Sequence, residues 1–483
     1  MEQANSKPRS IEFGFLIYFI TFLISIGVKI AIDYLWNGHN FLLLYGMQVI
    51  AIVIMMYLFR KLFGPDIWKS LPTVTTAYIF LALYVSTLLI YNSEFLKHLL
   101  NWEDYLILKA LSYGLIFIQF IWISYHIGTF IFSGTNIKPI IKYIPIVKIY
   151  ILILFGLLAN FIAIISGAFG ILQNTNTESI SNYSTYIDLG QQLGLLGLII
   201  LTYQHTHRRY LIAITGILFF ILGIVSGGKQ AALMPLLAIA ITLYFKNQRF
   251  PKAAILAAVI GLPLSFGAVT TIRQYYFDSK SKGVTSVLEV KEISEKALNQ
   301  KEFDKAYGTY SLNQHILIRL FYGNAIVKAI SYCERHDFGV PENSRFYQVL
   351  FAPLYAVVPR IIMPDKPEST FGNWFASEVF VGYKVKYSIG ITPVGYGYMV
   401  NGFLGVISVA AVLGLFMALI KRLLYGHYIF IYILVFIKAI LPADVTWLDI
   451  AGNIKLILVY WIIFKLLEVR IFTKKVSEPI LFA

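Results

Sequence analysis

The residues best suited to chemistry are crowded into the stretch 355–367, which reads Y-A-V-V-P-R-I-I-M-P-D-K-P. Pro359, Pro364 and Pro367 lock φ and remove backbone donors, which excludes regular helix and the middle of a sheet. The residues before them are pushed toward extended backbone. Such a ribbon is stiff, and it presents Arg360, Asp365 and Lys366 at nearly fixed positions. A planar guanidinium beside an ammonium group suits a phosphate-bearing ligand. The apolar residues between the charges (Val357, Val358, Ile361, Ile362, Met363) would seat the ribbon on a surface. The same residues also describe a proline-stiffened connector with a local Asp–Lys pair, and the ribbon by itself leaves both readings open.

The interval 271–398 around it carries further candidates. It holds fifteen Lys/Arg against twelve Asp/Glu, too slight a surplus for a polyanion-binding surface. Arg273, Arg319 and Arg345 lie among tyrosines and prolines, which suits a phosphate clamp; taken singly, each reads more readily as a snorkelling or salt-bridged residue. Mixed charge around spaced apolar positions predicts a surface helix over 284–306. A second helix is predicted over 311–335, with Ser311 as its N-cap, and Gly339 and Pro341 beyond it as the stop. On it Leu312, Ile316, Leu320 and Val327 share one face, and His315, Arg319 and Tyr322 a neighbouring one. Gly390 to Tyr398, G-I-T-P-V-G-Y-G-Y, leads back out of the interval.

The elements that must position these residues are hydrophobic helices. Of 483 residues, 58% are hydrophobic and 13% charged, which is membrane composition. Apolar runs long enough to cross a bilayer as helix recur about twelve times, at 13–32, 41–59, 73–91, 105–132, 149–170, 187–204, 210–226, 230–245, 253–270, 399–420, 427–441 and 453–467. Gln191 and Gln192 soften the sixth. The expected fold is an all-α polytopic membrane protein, with spans 1–9 in residues 1–270. One large, partly helical extracytoplasmic loop fills 271–398, and spans 10–12 with a cytoplasmic tail fill 399–483. Basic residues recur at every second connection (Arg60, Lys61 and Lys69; Lys138, Lys142 and Lys148; Arg208 and Arg209; Lys246, Arg249 and Lys252; Lys421 and Arg422). That bias places both termini in the cytoplasm, and it accounts for most of the +15 charge without nucleic acid. The first run is too long for a signal-peptide core and reads as an anchor.

Lys29, Lys109, Lys438 and Lys455 fall inside predicted spans, close to the outer face. Lys229 joins them in the short hairpin S-G-G-K. Charges at such depth are costly and either snorkel or serve function; as a set these predict a positive rim around an outward-facing cavity at headgroup height. S-G-G-K lacks the phosphate-loop spacing, so nucleotide hydrolysis is excluded. The single cysteine, Cys333, can form no internal disulfide, and there is no Cys/His metal motif.

The ribbon V-P-R-I-I-M-P-D-K-P, with G-x-T-P and the Gly402–Gly405 return after it, resembles the Wzy-type O-antigen or oligosaccharide repeat-unit polymerases. The small-residue turn ending in Lys229 is similar to one in many members, although arginine is commoner there. The resemblance implies a glycosyl transfer outside the bacterial cytoplasmic membrane, between repeat units carried on undecaprenyl pyrophosphate. It implies no cofactor, and as partners the bilayer, a chain-length regulator and a flippase. Cations would neutralise the pyrophosphate leaving group: Arg360 and Arg273 first, then Lys366, Arg319, Lys229 and Arg345. His315 or Asp365 would act as the base, and Tyr275, Tyr276, Tyr396 and Tyr398 would line the glycan path. Rival readings are a metal-dependent lipid-linked-sugar transferase, an O-antigen-type ligase, and a flippase or other transporter.

Overall fold

A computed structural model describes residues 11–132, 143–166, 178–225, 229–247, 321, 323–336, 338–340, 371–381, 390–425, 428–440, 457, 459–463 and 465. Among them there is helix and no strand, because every backbone group inside a bilayer must be satisfied within its own segment. The helices are α1 (Ile11–Leu35), α2 (Phe41–Phe63), α3 (Leu71–Tyr91), α4 (Glu94–Leu99), α5 (Asp104–Ile131), α6 (Ile146–Ser166) and α7 (Glu178–Gln204). They continue as α8 (Arg209–Val225), α9 (Lys229–Asn247), α10 (Gly323–Arg335), α11 (Phe371–Trp374, extended by a π-helical turn Phe375–Val381), α12 (Pro393–Leu424) and α13 (Ile429–Ile440). Five of these, α1, α2, α3, α5 and α12, are long and apolar enough to cross a membrane, and α6, α8, α9 and α13 contain shorter apolar runs. The chain is a helical membrane protein.

Most predicted spans coincide with these helices. The span 253–270 and much of 453–467 lie outside the described residues. Two boundaries differ. The polar stretch expected to link the fifth and sixth spans is helical from Glu178 onward, because hydropathy marks only the part of a helix that meets lipid. The second loop helix starts at Gly323 rather than running unbroken from Ser311, since Phe321 is not helical.

The helices form two packed groups. In the first, α1, α2, α3, α10 and α12 surround α5, and 83% of the apolar window of α5 is buried. A helix apolar on all sides belongs at such a centre. α5 and α12 run parallel and close: a Cβ placed on Gly128 would lie 2.7 Å from Ala418 Cβ, and one on Gly414 would run into the Ile121 carbonyl. With lipid as solvent, this backbone approach through small residues is what drives helices together. Buried Thr21, Gln48 and Gln119 add polar contacts: Gln48 Nε2 donates to the Leu108 carbonyl at 3.3 Å, and Gln119 Nε2 to Thr21 Oγ1 at 3.5 Å. In α3 the residues Phe80–Val85 widen into a π-helical turn. The Tyr84 carbonyl accepts from Tyr45 Oη at 2.9 Å, and Tyr84 Oη donates to the Leu111 carbonyl at 2.6 Å. Side-chain hydroxyls thus compensate the irregular ladder.

The second group is α6–α9 with α13, joined to the first at Leu71, Val74, Ile420 and Leu424. Tyr432 Oη on α13 donates to the Lys69 carbonyl at 2.8 Å. Lys246 at the end of α9 donates to the Tyr203 carbonyl (2.7 Å) and Thr206 Oγ1 (2.6 Å) at the end of α7.

α12 is not straight. Asn401 and Gly402 leave helical geometry, and Gly402 has φ +50° with ψ −132°, a backbone that only glycine adopts without penalty. Gly397 and Gly405 are in backbone contact, so the arm 393–400 folds against the arm 403–424. Thr392 caps the short arm, its Oγ1 accepting from Gly395 N at 3.2 Å, and Pro393 occupies the first turn.

Candidate functional site

The end of the bundle where α1 finishes and α5 and α12 begin also receives α10, and is termed the loop end here. Aromatic rings collar it. Phe41 stacks on Tyr91 with centroids 4.5 Å apart, Trp102 stacks on Phe321 at 5.5 Å, and Trp102 Nε1 donates to Asp104 Oδ1 at 2.5 Å. Such rings favour the membrane–water boundary.

Two of the lysines expected on a positive rim meet carboxylates at this end. Lys29 Nζ lies 2.5 Å from Asp33 Oδ2 on the next turn of α1. Lys109, on α5, lies 2.6 Å from Glu334 Oε1 on α10 and 5.8 Å from the centroid of the Tyr105 ring. Lys97 pairs with Glu94 at 3.4 Å and sits 4.0 Å above the Tyr91 ring. The rim reading is therefore corrected for Lys29 and Lys109: their charges are offset within the bundle, because a carboxylate is the least costly neighbour for an ammonium at headgroup depth.

Lys438 is placed differently. It lines a cavity of about 230 Å³ with Asn160 from α6, Gln191, Gln192 and Leu195 from α7, Phe219 from α8, and Ala231, Met234 and Pro235 from α9. Among the described residues the lining contains three carboxamides, an ammonium group and no carboxylate. Asn160 Nδ2 donates to the Gly156 carbonyl at 2.8 Å, and Gln191 Nε2 to Asn160 Oδ1 at 3.1 Å. Tyr460 Oη contacts Gln192 Oε1. Pro235 has no N–H, so the carbonyl of Ala231, one turn back and also in the lining, lacks its usual helical donor. The contacts of Lys246 and Tyr432 lie at the far ends of α9 and α13, which puts the cavity in the half of the group toward the loop end. It is smaller than pockets for drug-sized ligands, which run from roughly 300 Å³, and suits one compact polar group.

Of the residues singled out in the sequence, Arg273, His315, Arg319, Arg345, Arg360, Asp365 and Lys366 lie outside the described residues, as does Lys455. Lys229 is the first residue of α9, two positions before the cavity-lining Ala231. Tyr396 and Tyr398 are only 4% exposed. They lie on the arm ahead of the break at Asn401–Gly402, where Tyr398 meets Tyr113 at 4.8 Å and Phe338 at 5.7 Å. The carboxamides of the cavity were missed as a set. Their one trace in the sequence is the polarity of Gln191 and Gln192 inside an otherwise apolar run. Among the described residues no group of three or more His, Cys, Asp or Glu is placed to hold a metal.

No family model matches this chain, and no curated protein or solved structure matches it either.

Proposed function

We propose that this protein is a membrane glycosyltransferase that polymerises oligosaccharide repeat units carried on undecaprenyl pyrophosphate, at the outer face of a bacterial cytoplasmic membrane. The reading rests on the ribbon P-R-I-I-M-P-D-K-P at 359–367 and its likeness to the Wzy-type polymerases. The structural observation that supports it is the Lys438 cavity, a hollow of mixed apolar and polar lining toward the loop end in which an ammonium group and three carboxamides take part. A lipid-linked diphosphate needs such fixed donors at headgroup height as its leaving group gains charge. In this scheme Arg360 and Arg273 hold the diphosphate, and Lys366, Arg319, Arg345 and Lys229 extend that cationic surface. His315 or Asp365 takes the proton of the attacking sugar hydroxyl, and the Lys438 cavity receives a compact polar part of one substrate.

Transport is the weaker alternative. Discontinuous helices of transporters break near the bilayer midplane, whereas α12 breaks at Asn401–Gly402, ahead of its long arm. The decisive test is complementation of a deletion strain. Arg360→Ala is expected to abolish chain lengthening, leaving single repeat units, with expression and membrane insertion unchanged. Arg360→Lys is expected to rescue poorly, since one ammonium cannot replace a bidentate guanidinium. Long glycans from the Arg360→Ala strain would refute the assignment.

A further inference from the structure

α10 has thirteen residues, too few to be stable as an isolated helix in water. Its helicity depends on what it lies against. Gly323, Ala325, Ile326, Val327, Ala329, Ile330 and Cys333 form its buried side, and they join the same core as α5 and α12. Much of that side is small: Ala325, Ala329 and Cys333 recur at four-residue spacing and let the helix approach its neighbours closely. Ile326 and Ile330 are fully buried beside them and Val327 nearly so, so apolar packing supplies most of the grip on this side.

A directional contact is supplied by Glu334 and Lys109. They are 225 positions apart in the chain, 2.6 Å apart in space, and only 40% and 17% exposed. The neighbouring cation Arg335 turns back on its own helix, donating to Ser331 Oγ at 2.8 Å and to the Ser331 carbonyl at 3.1 Å. Tyr332 packs edge-on to Trp374, beside α11, with centroids 6.2 Å apart.

We propose that the Lys109–Glu334 ion pair latches α10 onto the membrane helices, and that both are positioning residues for the segments on either side of it. Those segments carry His315 and Arg319 before α10, and Arg345 and Arg360 after it. The latch stands on the geometry alone, while its bearing on glycan synthesis rests on the function proposed above. With the pair formed, α10 is anchored at one fixed height on α5. With the pair broken, apolar packing alone holds a short helix.

The chain supplies its own reporter. Cys333, its one cysteine, is buried beneath α10 and reacts with a maleimide only when the helix lifts. In the full-length protein in membranes, labelling is expected to be slow. Lys109→Glu or Glu334→Lys, each placing like charges together, should speed it about tenfold. The double exchange Lys109→Glu with Glu334→Lys should return it to near the wild-type rate. Exchange of α10 backbone amides, measured in parallel, is expected to follow the same order and removes any effect of Glu334 on thiol reactivity. If a charge reversal prevents insertion, Lys109→Met and Glu334→Gln replace it, with smaller accelerations in the same direction. Wild-type labelling and amide exchange in every inserted single variant, or a double exchange as open as the single ones, would overturn the latch. Loss of long glycans in the single variants and their return in the double exchange supports the positioning role. An opened helix with unchanged glycan lengths overturns that role and leaves the latch. An Arg360→Ala strain that still makes long glycans would instead overturn the polymerase reading.

Discussion

The two helix groups differ in how closely they pack around their polar side chains. Around α5, Lys109 meets Glu334, Lys29 meets Asp33 and Gln119 donates to Thr21, while Gln48 Oε1 and Gln119 Oε1 are buried in tight packing without a hydrogen-bond partner among the described residues. Backbones touch at Gly414, and little space remains. In the group built on α6–α9 and α13, Asn160, Gln191 and Gln192 are hydrogen-bonded as well, but together with Lys438 they border open volume, with a proline in the same wall. Polar groups that satisfy one another hold helices together. A hollow with polar groups in its wall can receive a ligand where a close-packed core cannot, so the second group is where a ligand is to be sought and the first is the frame against which it is measured.

Substitutions can break or sharpen that contrast. The largest effect is expected from Gly414→Leu, whose side chain has no room beside the Ile121 carbonyl. Overpacking of this kind costs about 1–3 kcal/mol or more, and should appear as loss of folded protein in detergent by size-exclusion profile. Survival of a well-folded variant would mean that the parallel α5–α12 contact is looser than described. Lys438→Met comes next. It should leave folding intact and lower chain lengthening by about tenfold, the effect of roughly 1.4 kcal/mol; wild-type glycan lengths would show the cavity to be structural. Titration of Cys333 gives a smaller signal. Burial first, and then the nearby Glu334 carboxylate, raise its thiol to about 11. The folded protein therefore favours the protonated thiol more than the unfolded chain does. Stability from this group is full below the unfolded thiol value of about 8.5 and declines as pH rises from there through about 11. Thiol alkylation should accordingly lag a free-cysteine control between those limits. The least effect belongs to Glu94→Ala. Its carboxylate is 92% exposed in the pair with Lys97, and such surface pairs contribute at most about 1 kcal/mol, so no change in folding or glycan length is expected.

Most of the helical framework was legible in the sequence because span-forming helices announce themselves by length and hydropathy alone. The backbone break in α12 was partly legible: Gly402 was noted as a return, but not as the point where Tyr396 is turned into the core. That outcome depends on Gly397 and Gly405 meeting, a contact between two arms that no periodicity reveals. The pairing of Lys109 with Glu334 was hidden for a related reason. Residues so distant in the chain can be matched only once α10 is known to lie on α5. Lys438 was recognised as misplaced charge, whereas its company of carboxamides was dispersed over two helices and diluted by apolar neighbours. The proline ribbon and most of the candidate site stand outside the described residues, so their reading remains one of sequence.

The parallel contact of α5 with α12 also bears on how the chain is made. The small-residue face at Gly128 is synthesised about 290 residues before its partner at Ala418. Throughout that interval the central helix must be solvated by lipid tails or by a transient chaperone along the very groove that α12 will fill. Closure of the first group therefore waits for α12. A ribosome that stops short of Pro393 should leave a membrane-inserted but open intermediate, a natural substrate for quality-control proteolysis.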